Sequence, residues 1–314
     1  MIAVALGGLS LHRFWHRELS HVTGDAEWIW VTDTLEKVYP TAGLFVATLD
    51  LETPPRTALL KVCGDRSWVA YVNGTAAACG WSRPGFRLDM FDIGHLLRQG
   101  DNVIAVEVRS PTPVGGLLLS LDVAGVGHNV LVSGDRFVAR KRFSLAAHDP
   151  SDGPVPVVWG PPPRYPWEYP VPVSHPRTLD EVMVEDPVRV DAAAARRLPG
   201  GGLAFDLPRH IDGYLWLRFA ADGPAYVATA DGPGGDVDLL RRNAQPVVRV
   251  EGQEWWLAAA PQTMASVYVF GERLPTAVEV WPVPPELSST APGVVPGPRG
   301  PVPRTRWTTR NPPE

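Results

Sequence analysis

The sequence predicts an all-β protein, two antiparallel jelly-roll or galactose-binding-like β-sandwiches in tandem, and three observations predict it. Proline (34 residues) and glycine (30) are abundant among 314 residues, and long helical patterns are scarce, which fits many short strands joined by irregular loops. Short apolar runs alternate with a period of two at the spacing of an antiparallel sandwich. Asn73-Gly74, set between "WVAYV" and "TAAACGW", is the strongest short hairpin signal, because both residues tolerate the positive φ of a type I′ turn.

The elements follow in order. The opening "MIAVALGGLSLHRFWHRE" has neither a basic n-region nor a small-residue cleavage signal, so an ordinary strand is expected there rather than a signal peptide. Strands are predicted at "EWIWV" (27–31), "GLFVATLDL" (43–51) and "TALLKVCG" (57–64). In the hairpin Trp68, Ala70 and Val72 point one way and Val69 and Tyr71 the other, which assigns Trp68 to the core. "DIGHLLRQGDN" reads as one helical turn, capped by Asp92 and closed by Gly100. "NVIAVEVRS" aligns Ile104, Val106 and Val108 on one face, and "GLLLSLDVAG" aligns Leu117, Leu119, Leu121 and Val123.

"NVLVSGDRFVARKR" adds one or two strands. "WGPPPRYPWEYPVPVSHP" is too proline-rich for a central strand or a helix; it is expected to lie extended across a surface, its aromatics pinned, as the seam between domains. "DAAAARRLPGGG" predicts a short helical turn. From Leu203 a second strand-rich block begins. Its "LRFAAD…AYVATADG" repeats the order of "LKVCGD…WVAYVNG", which reads as a degenerate internal repeat. From Pro285 on there is little to bury, so a disordered tail is expected. The predicted organisation is a first sandwich over 1–150, a proline-rich connection over 151–190, a second sandwich over 191–284 and the tail over 285–314.

The chain is mildly acidic, 29 basic against 34 acidic residues. With its basic residues scattered, nothing suggests a nucleic-acid stripe or a polybasic lipid anchor. No apolar run reaches membrane-spanning length, and the expected location is the cytoplasm. Two cysteines exclude a disulfide framework or a cysteine-only zinc site. Cys63 and Cys79 are expected as buried thiols, with a disulfide between them left open. Asn73-Gly74-Thr75 matches a glycosylation sequon, but the turn chemistry accounts for it.

The segment from Trp28 to Val123 resembles the amino-terminal accessory β-sandwich of bacterial α-L-rhamnosidases and, more loosely, the sugar-binding domains of β-galactosidase-like hydrolases. The resemblance rests on "WIW", "LFVATLDL", "LLKVCGDRSWVAYVNG", the loop "GWSRPGF" and "FDIGHLLRQGDNVIAVEV". The last looks like the family's aromatic-Asp-hydrophobe, Leu-Leu, Gly-(Asp/Glu)-Asn-hydrophobe pattern. "LVSGDRFVAR" is similar to the strand that follows, where a tryptophan often stands at the place of Phe137, and "GYLWLRF" to the opening of the next sandwich. In those enzymes catalysis resides in a large α-helical barrel, whose Asp-Cys-Pro motif followed by Arg and Glu has no counterpart here. The resemblance therefore implies the accessory fold and a carbohydrate context, but does not imply the hydrolytic activity.

Glycoside hydrolysis needs two carboxylates facing each other at a defined separation. Asp65, Asp89, Asp92, Asp212, Asp222, Asp231, Asp236 and Asp238 are read mostly as turn residues, where Asp caps and bends backbone, and no catalytic residue is assigned. His12 and His16 could set two ligands on one helical face, but no third is near, so they are read as a surface or interface pair. There is no Gly-x-Ser-x-Gly elbow and no phosphate loop. No cofactor is expected, save that "DGPGGDVD" (231–238) leaves a weak calcium loop open beside a plain turn.

Sugar sites combine aromatic faces with charged or amide groups. Two stretches offer both: Trp81, Arg83, Phe86 and Arg87 in "GWSRPGFR", and Arg164, Tyr165, Trp167, Glu168 and Tyr169 in "PPRYPWEY". For each the alternative is a hydrophobic seal at the domain seam. The preferred reading is a non-catalytic protein binding carbohydrate or a partner protein. A diverged or truncated glycoside hydrolase with its own site, and a scaffold whose tail recruits a partner, stay open.

Overall fold

The computed structural model describes residues 22–33, 42–81, 87–110, 112–143, 156–162, 164, 167, 170–173, 175–183, 185–220, 223–248 and 252–283. The predicted amino-terminal strand, His12, His16, Asp222 and the predicted tail lie outside them. The described chain is all-β. Along it run β1 (Trp28–Trp30), β2 (Ala42–Leu51), β3 (Ala58–Gly64), β4 (Ser67–Val72), β5 (Thr75–Trp81), β6 (Arg87–Asp92), β7 (Gly100–Arg109), β8 (Leu117–Val123), β9 (Gly127–Val132) and β10 (Val138–Arg142). There follow β11 (Val157–Gly160), β12 (Val171–Pro172), β13 (Val188–Asp191), β14 (Arg196–Arg197), β15 (Leu203–Arg218), β16 (Ala225–Ala230), α1 (Val237–Asn243), β17 (Gln245–Pro246), β18 (Trp255–Leu257), β19 (Gln262–Gly271) and β20 (Ala277–Pro282).

They form three sheets. A seven-stranded sheet has the order β11-β1-β8-β3-β6-β12, with β9 on β8; a five-stranded antiparallel sheet has the order β10-β2-β7-β4-β5. These two face each other across a core built from the alternation the sequence predicts. Trp68, Ala70 and Val72 of β4 and Ile104, Val106 and Val108 of β7 meet Leu117, Leu119, Leu121 and Val123 of β8. Between β6 and β7 a single 3-10 turn spans Gly94–Leu96. Asp92 Oδ1 accepts from Gly94 N at 3.0 Å, and Gly100 closes the connection at φ +82°.

The third sheet has eight strands, β13-β20-β15-β19-β16-β17, with β14 and β18 also on β15. The long β15 shifts register between Asp206 and Ile211, so its first part pairs with β14 and β19 and its last with β20 and β18. This sheet covers the outer face of the five-stranded one. Leu44, Val69, Tyr71, Cys79 and Ala105 join Leu215, Leu257, Val269 and Val280 in one cluster. The five-stranded sheet is therefore buried on both faces, which explains why all six residues of "SWVAYV" are buried.

The hairpin helps make this junction. Asn73 (φ +51°) and Gly74 (φ +83°) form the tight turn, and a Cβ on Gly74 would fall 2.8 Å from the Gly252 carbonyl. The Asn73 side chain is committed to the fold: its amide donates to Leu96 O and Asn102 Oδ1, and its oxygen accepts from Val103 N. Tyr71 Oη accepts from Leu257 N at 3.1 Å. Glu107, fully buried, accepts from Trp256 Nε1 at 2.9 Å and from Arg109 Nε at 2.7 Å. Burial pushes its carboxyl up, against the pull of Arg109 and Trp256.

Two readings are corrected here. Of the proline-rich stretch, the described Trp167 is pinned against the seven-stranded sheet, with Trp28, Leu88 and Leu118, rather than at the seam. β11 and β12, at the two ends of the stretch, sit on opposite edges of that sheet, and Pro172 of β12 lies at an edge where no ladder donor is needed. The second block does not repeat the first hairpin: β16 leads into α1, because Asp236 caps a helix by accepting from Asp238 N and Leu239 N. The residues between Asp191 and Gly202 form a 3-10 turn and the short β14. Cys63 and Cys79 are both buried and free.

Candidate functional site

The site is built at the end of the hairpin. β5 is the edge of its sheet and runs past β6. Gly80 permits the crossing, since a Cβ there would lie 2.8 Å from both Asp89 Oδ2 and the Trp68 ring. Beneath it Asp89 is only 5% exposed. It is held between two guanidinium groups, Arg87 Nη2 at 3.4 Å and Arg177 Nη2 at 3.2 Å. Arg177 is fixed by its backbone, which donates to Met90 O and accepts from Asp92 N, and by its guanidinium, which lies 4.8 Å over the Phe91 ring. Burial raises the Asp89 carboxyl above its ordinary value while both arginines pull it down.

Across the junction, Tyr214 of β15 packs its ring 6.2 Å from the indole of Trp81, at 38°. Its hydroxyl is hydrogen-bonded to the Cys79 thiol. Burial pushes the thiol up to about 12 and the phenol well above its ordinary value, so at neutral pH both stay protonated and neither is a nucleophile. These groups line a cleft of about 110 Å³, with Val182 and Val283 completing the wall. It offers an aromatic side, two cations and one carboxylate. Among its described lining residues Asp89 is the single acid, so the facing pair of a hydrolase is not present there.

Of the predicted residues, Trp81 and Arg87 meet in this cleft, while Arg83 and Phe86 lie outside the described residues. The second predicted stretch does not form a ligand surface at Trp167. That side chain is 1% exposed, stacks on Trp28 at 4.8 Å and donates from Nε1 to Asp65 Oδ1 at 2.8 Å. Gly116 makes room for it, since a Cβ there would come within 2.6 Å of the ring. Trp167 is thus a structural anchor of the proline-rich stretch. Arg164 is exposed; Tyr165, Glu168 and Tyr169 lie outside the described residues.

Asp89, Arg177 and Tyr214 were missed. Asp89 is not a turn residue: it sits mid-strand in "RLDMFD", in step with the core residue Phe91. An acid at an inward position of a period-two pattern was the available signal. Arg177 and Tyr214 come from distant sequence and carried none. At 231–238 Asp236 caps α1, and among the described residues no group of three or more His, Cys, Asp or Glu could hold a metal ion. Among the described residues, too, no helix is long and apolar enough to cross a membrane.

No family model and no curated protein matches the sequence. Among solved structures, the chain is similar to an α-L-rhamnosidase from Dictyoglumus thermophilum, with 13% identity and a TM-score of 0.50, over 81% of this chain and 35% of that one. The α-L-rhamnosidase from Aspergillus terreus gives 14% identity and a TM-score of 0.50, over 83% and 36%. A lectin from Pleurotus ostreatus aligns with 14% identity and a TM-score of 0.38, over 83% and 75%. The chain spans about a third of the length of the two rhamnosidases, and what it shares with that part of them is the β-sheet fold.

Proposed function

We propose that this is a carbohydrate-binding β-sandwich protein without hydrolytic activity of its own, and that the cleft at the end of β5 is its sugar site. One observation carries the reading: a nearly buried Asp89, clamped by Arg87 and Arg177, opens beside the aromatic faces of Trp81 and Tyr214. Aromatic rings cover the apolar side of a pyranose, and a carboxylate with guanidinium donors orients hydroxyls. Rhamnosides head the panel of ligands because the similar folds belong to proteins named α-L-rhamnosidases.

The test is a glycan array with the wild-type chain, followed by calorimetric titration of the best ligand into Arg87→Ala. Arg87 is half exposed (52%), so its truncation leaves the fold intact. Binding is expected to weaken about tenfold, the loss of one charge-assisted contact. An array without hits, or unchanged affinity in the variant, refutes the reading. One feature favours a hydrolytic alternative: burial raises the Asp89 carboxyl, as a general acid requires. Turnover of aryl glycosides by the wild type that disappears in Asp89→Asn would replace binding by catalysis.

A further inference from the structure

A second cleft lies between the five-stranded and the eight-stranded sheets and shares no lining residue with the one beside β5. Its volume is about 590 Å³, the size of a small-molecule site, and such sites favour junctions of this kind. Arg66 and Arg109 line it from the sandwich, Thr229 and Gln245 from β16 and β17, and Gln262 from β19. Ala258, Ala259 and Ala260 also belong to the wall, so three consecutive side chains end at Cβ and leave the space open. Among its described lining residues there is no Asp or Glu, although the chain carries 34 acids against 29 bases. In this it is the converse of the cleft beside β5, where the carboxylate of Asp89 is central.

The donors in this cleft are held in place. Arg109 Nε donates to Glu107 at 2.7 Å, and Nη2 to Pro246 O at 2.6 Å. The group lies 5.6 Å from the centre of the Trp256 ring, while Nη1 has no hydrogen-bond partner among the described residues. Thr229 Oγ1 donates to Gln262 Oε1 at 2.9 Å, which orients that amide and keeps its NH2 group spare. Arg66 is exposed, with its charge beside Asp65. The acids that balance the two arginines, Glu107 and Asp65, are not in the lining, whereas the arginines are. Guanidinium groups match the geometry of a carboxylate, and amides and hydroxyls match ligand hydroxyls. Trp256 is 1% exposed, so it offers no ring face on which a neutral sugar could stack.

We propose that this junction cleft is a second ligand site, which takes a small hydroxylated carboxylate, the chemistry of a sugar acid. The proposal does not rest on the sugar reading of the cleft beside β5. Calorimetric titrations of the full chain test it by comparing D-glucuronate with D-glucose and D-galacturonate with D-galactose, pairs that differ in one carboxylate. Inorganic phosphate supplies a charge without the hydroxyls. At least one sugar acid is expected to bind about tenfold or more tighter than its neutral counterpart and than phosphate. Arg66→Gln should weaken that binding about tenfold. Ala260→Phe, at a half-buried lining position, fills the cleft without removing a charge and should abolish it. Both variants should melt at the wild-type temperature without ligand. Absence of sugar-acid binding overturns the proposal, as does equally tight binding of the neutral sugars or of phosphate. Sugar-acid binding that either Arg66→Gln or Ala260→Phe leaves intact, or that Arg87→Ala removes, also overturns it, the last by moving the ligand to the cleft beside β5.

Discussion

Two tryptophans from equally aromatic, proline-bearing stretches end in opposite situations. Trp167 is enclosed: its ring lies on Trp28, its N–H is used by Asp65, and the backbone at Gly116 closes against it. Trp81 is half-buried at the end of an edge strand, with Tyr214 on one side and a charged cleft on the other. Composition does not separate them. What separates them is whether the surrounding backbone closes over the ring, which is decided by residues far away in sequence. The largest break in the comparison should come from Trp167→Ala. Truncating a large buried aromatic costs about 3–5 kcal/mol, and this one also holds the proline-rich stretch to the sheet. Urea denaturation should show the loss; a variant as stable as the wild type would mean that the stretch does not depend on its anchor.

The acids beside the two tryptophans sharpen the contrast. Burial raises the Asp89 carboxyl as it does that of Asp65, but Asp89 sits between two guanidinium groups, so Asp89→Asn leaves Arg87 and Arg177 without their partner. Hydrogen bonds to charged groups contribute about 1.5–3 kcal/mol, and stability at neutral pH should fall by that order. Asp65 has the neutral N–H of Trp167, the Ser110 hydroxyl and the charge of Arg66 against its burial, and burial outweighs them and raises its pKa. A carboxyl whose folded pKa lies above its unfolded one binds more protons in the folded state. Its contribution is most favourable below the ordinary carboxylate range and declines as pH rises through the folded value. Asp65→Asn keeps an acceptor for Trp167 and removes the buried charge. Its stability relative to wild type should therefore rise from acid to neutral pH. A relative stability that falls over that range would mean that the Trp167 and Ser110 donors and the Arg66 charge outweigh burial.

How much of this was legible in the sequence depends on distance along the chain. The two faces of β4, the aligned residues of β7 and β8 and the Asn73-Gly74 turn follow from local periodicity and turn chemistry, and all are present; Asp92 accepts from Gly94 N, but the residue that caps the 3-10 turn is Ile93. The burial of both faces of β4 was not readable, because Val69 and Tyr71 are covered by strands that begin about 130 residues later. For the same reason the cleft was half legible: Trp81 and Arg87 are near neighbours in sequence, whereas Arg177 arrives beside β6 from the segment after β12 and Tyr214 through the third sheet. Asp89 was readable in principle, since an acid in step with Phe91 breaks the apolar pattern of β6.

The smallest effect on stability should come from Trp81→Ala, and it is the one that most directly tests the contrast. Trp81 ends β5, whose far side has no further strand in its sheet, and its ring lines a cleft rather than a closed interior. Removing it takes away one stacking partner of Tyr214 but leaves space that water can fill, so no sealed cavity forms, and the cavity penalty that makes core truncations costly does not apply. A loss of about 1 kcal/mol, the ordinary size for a single substitution, is expected, with an unchanged denaturant slope because the surface exposed on unfolding is nearly the same. Measured beside Trp167→Ala under the same conditions, the two should differ by about 2 kcal/mol or more. Equal losses would make Trp81 a seal between the second and third sheets and remove it from the binding site, whatever sugar the chain is found to bind.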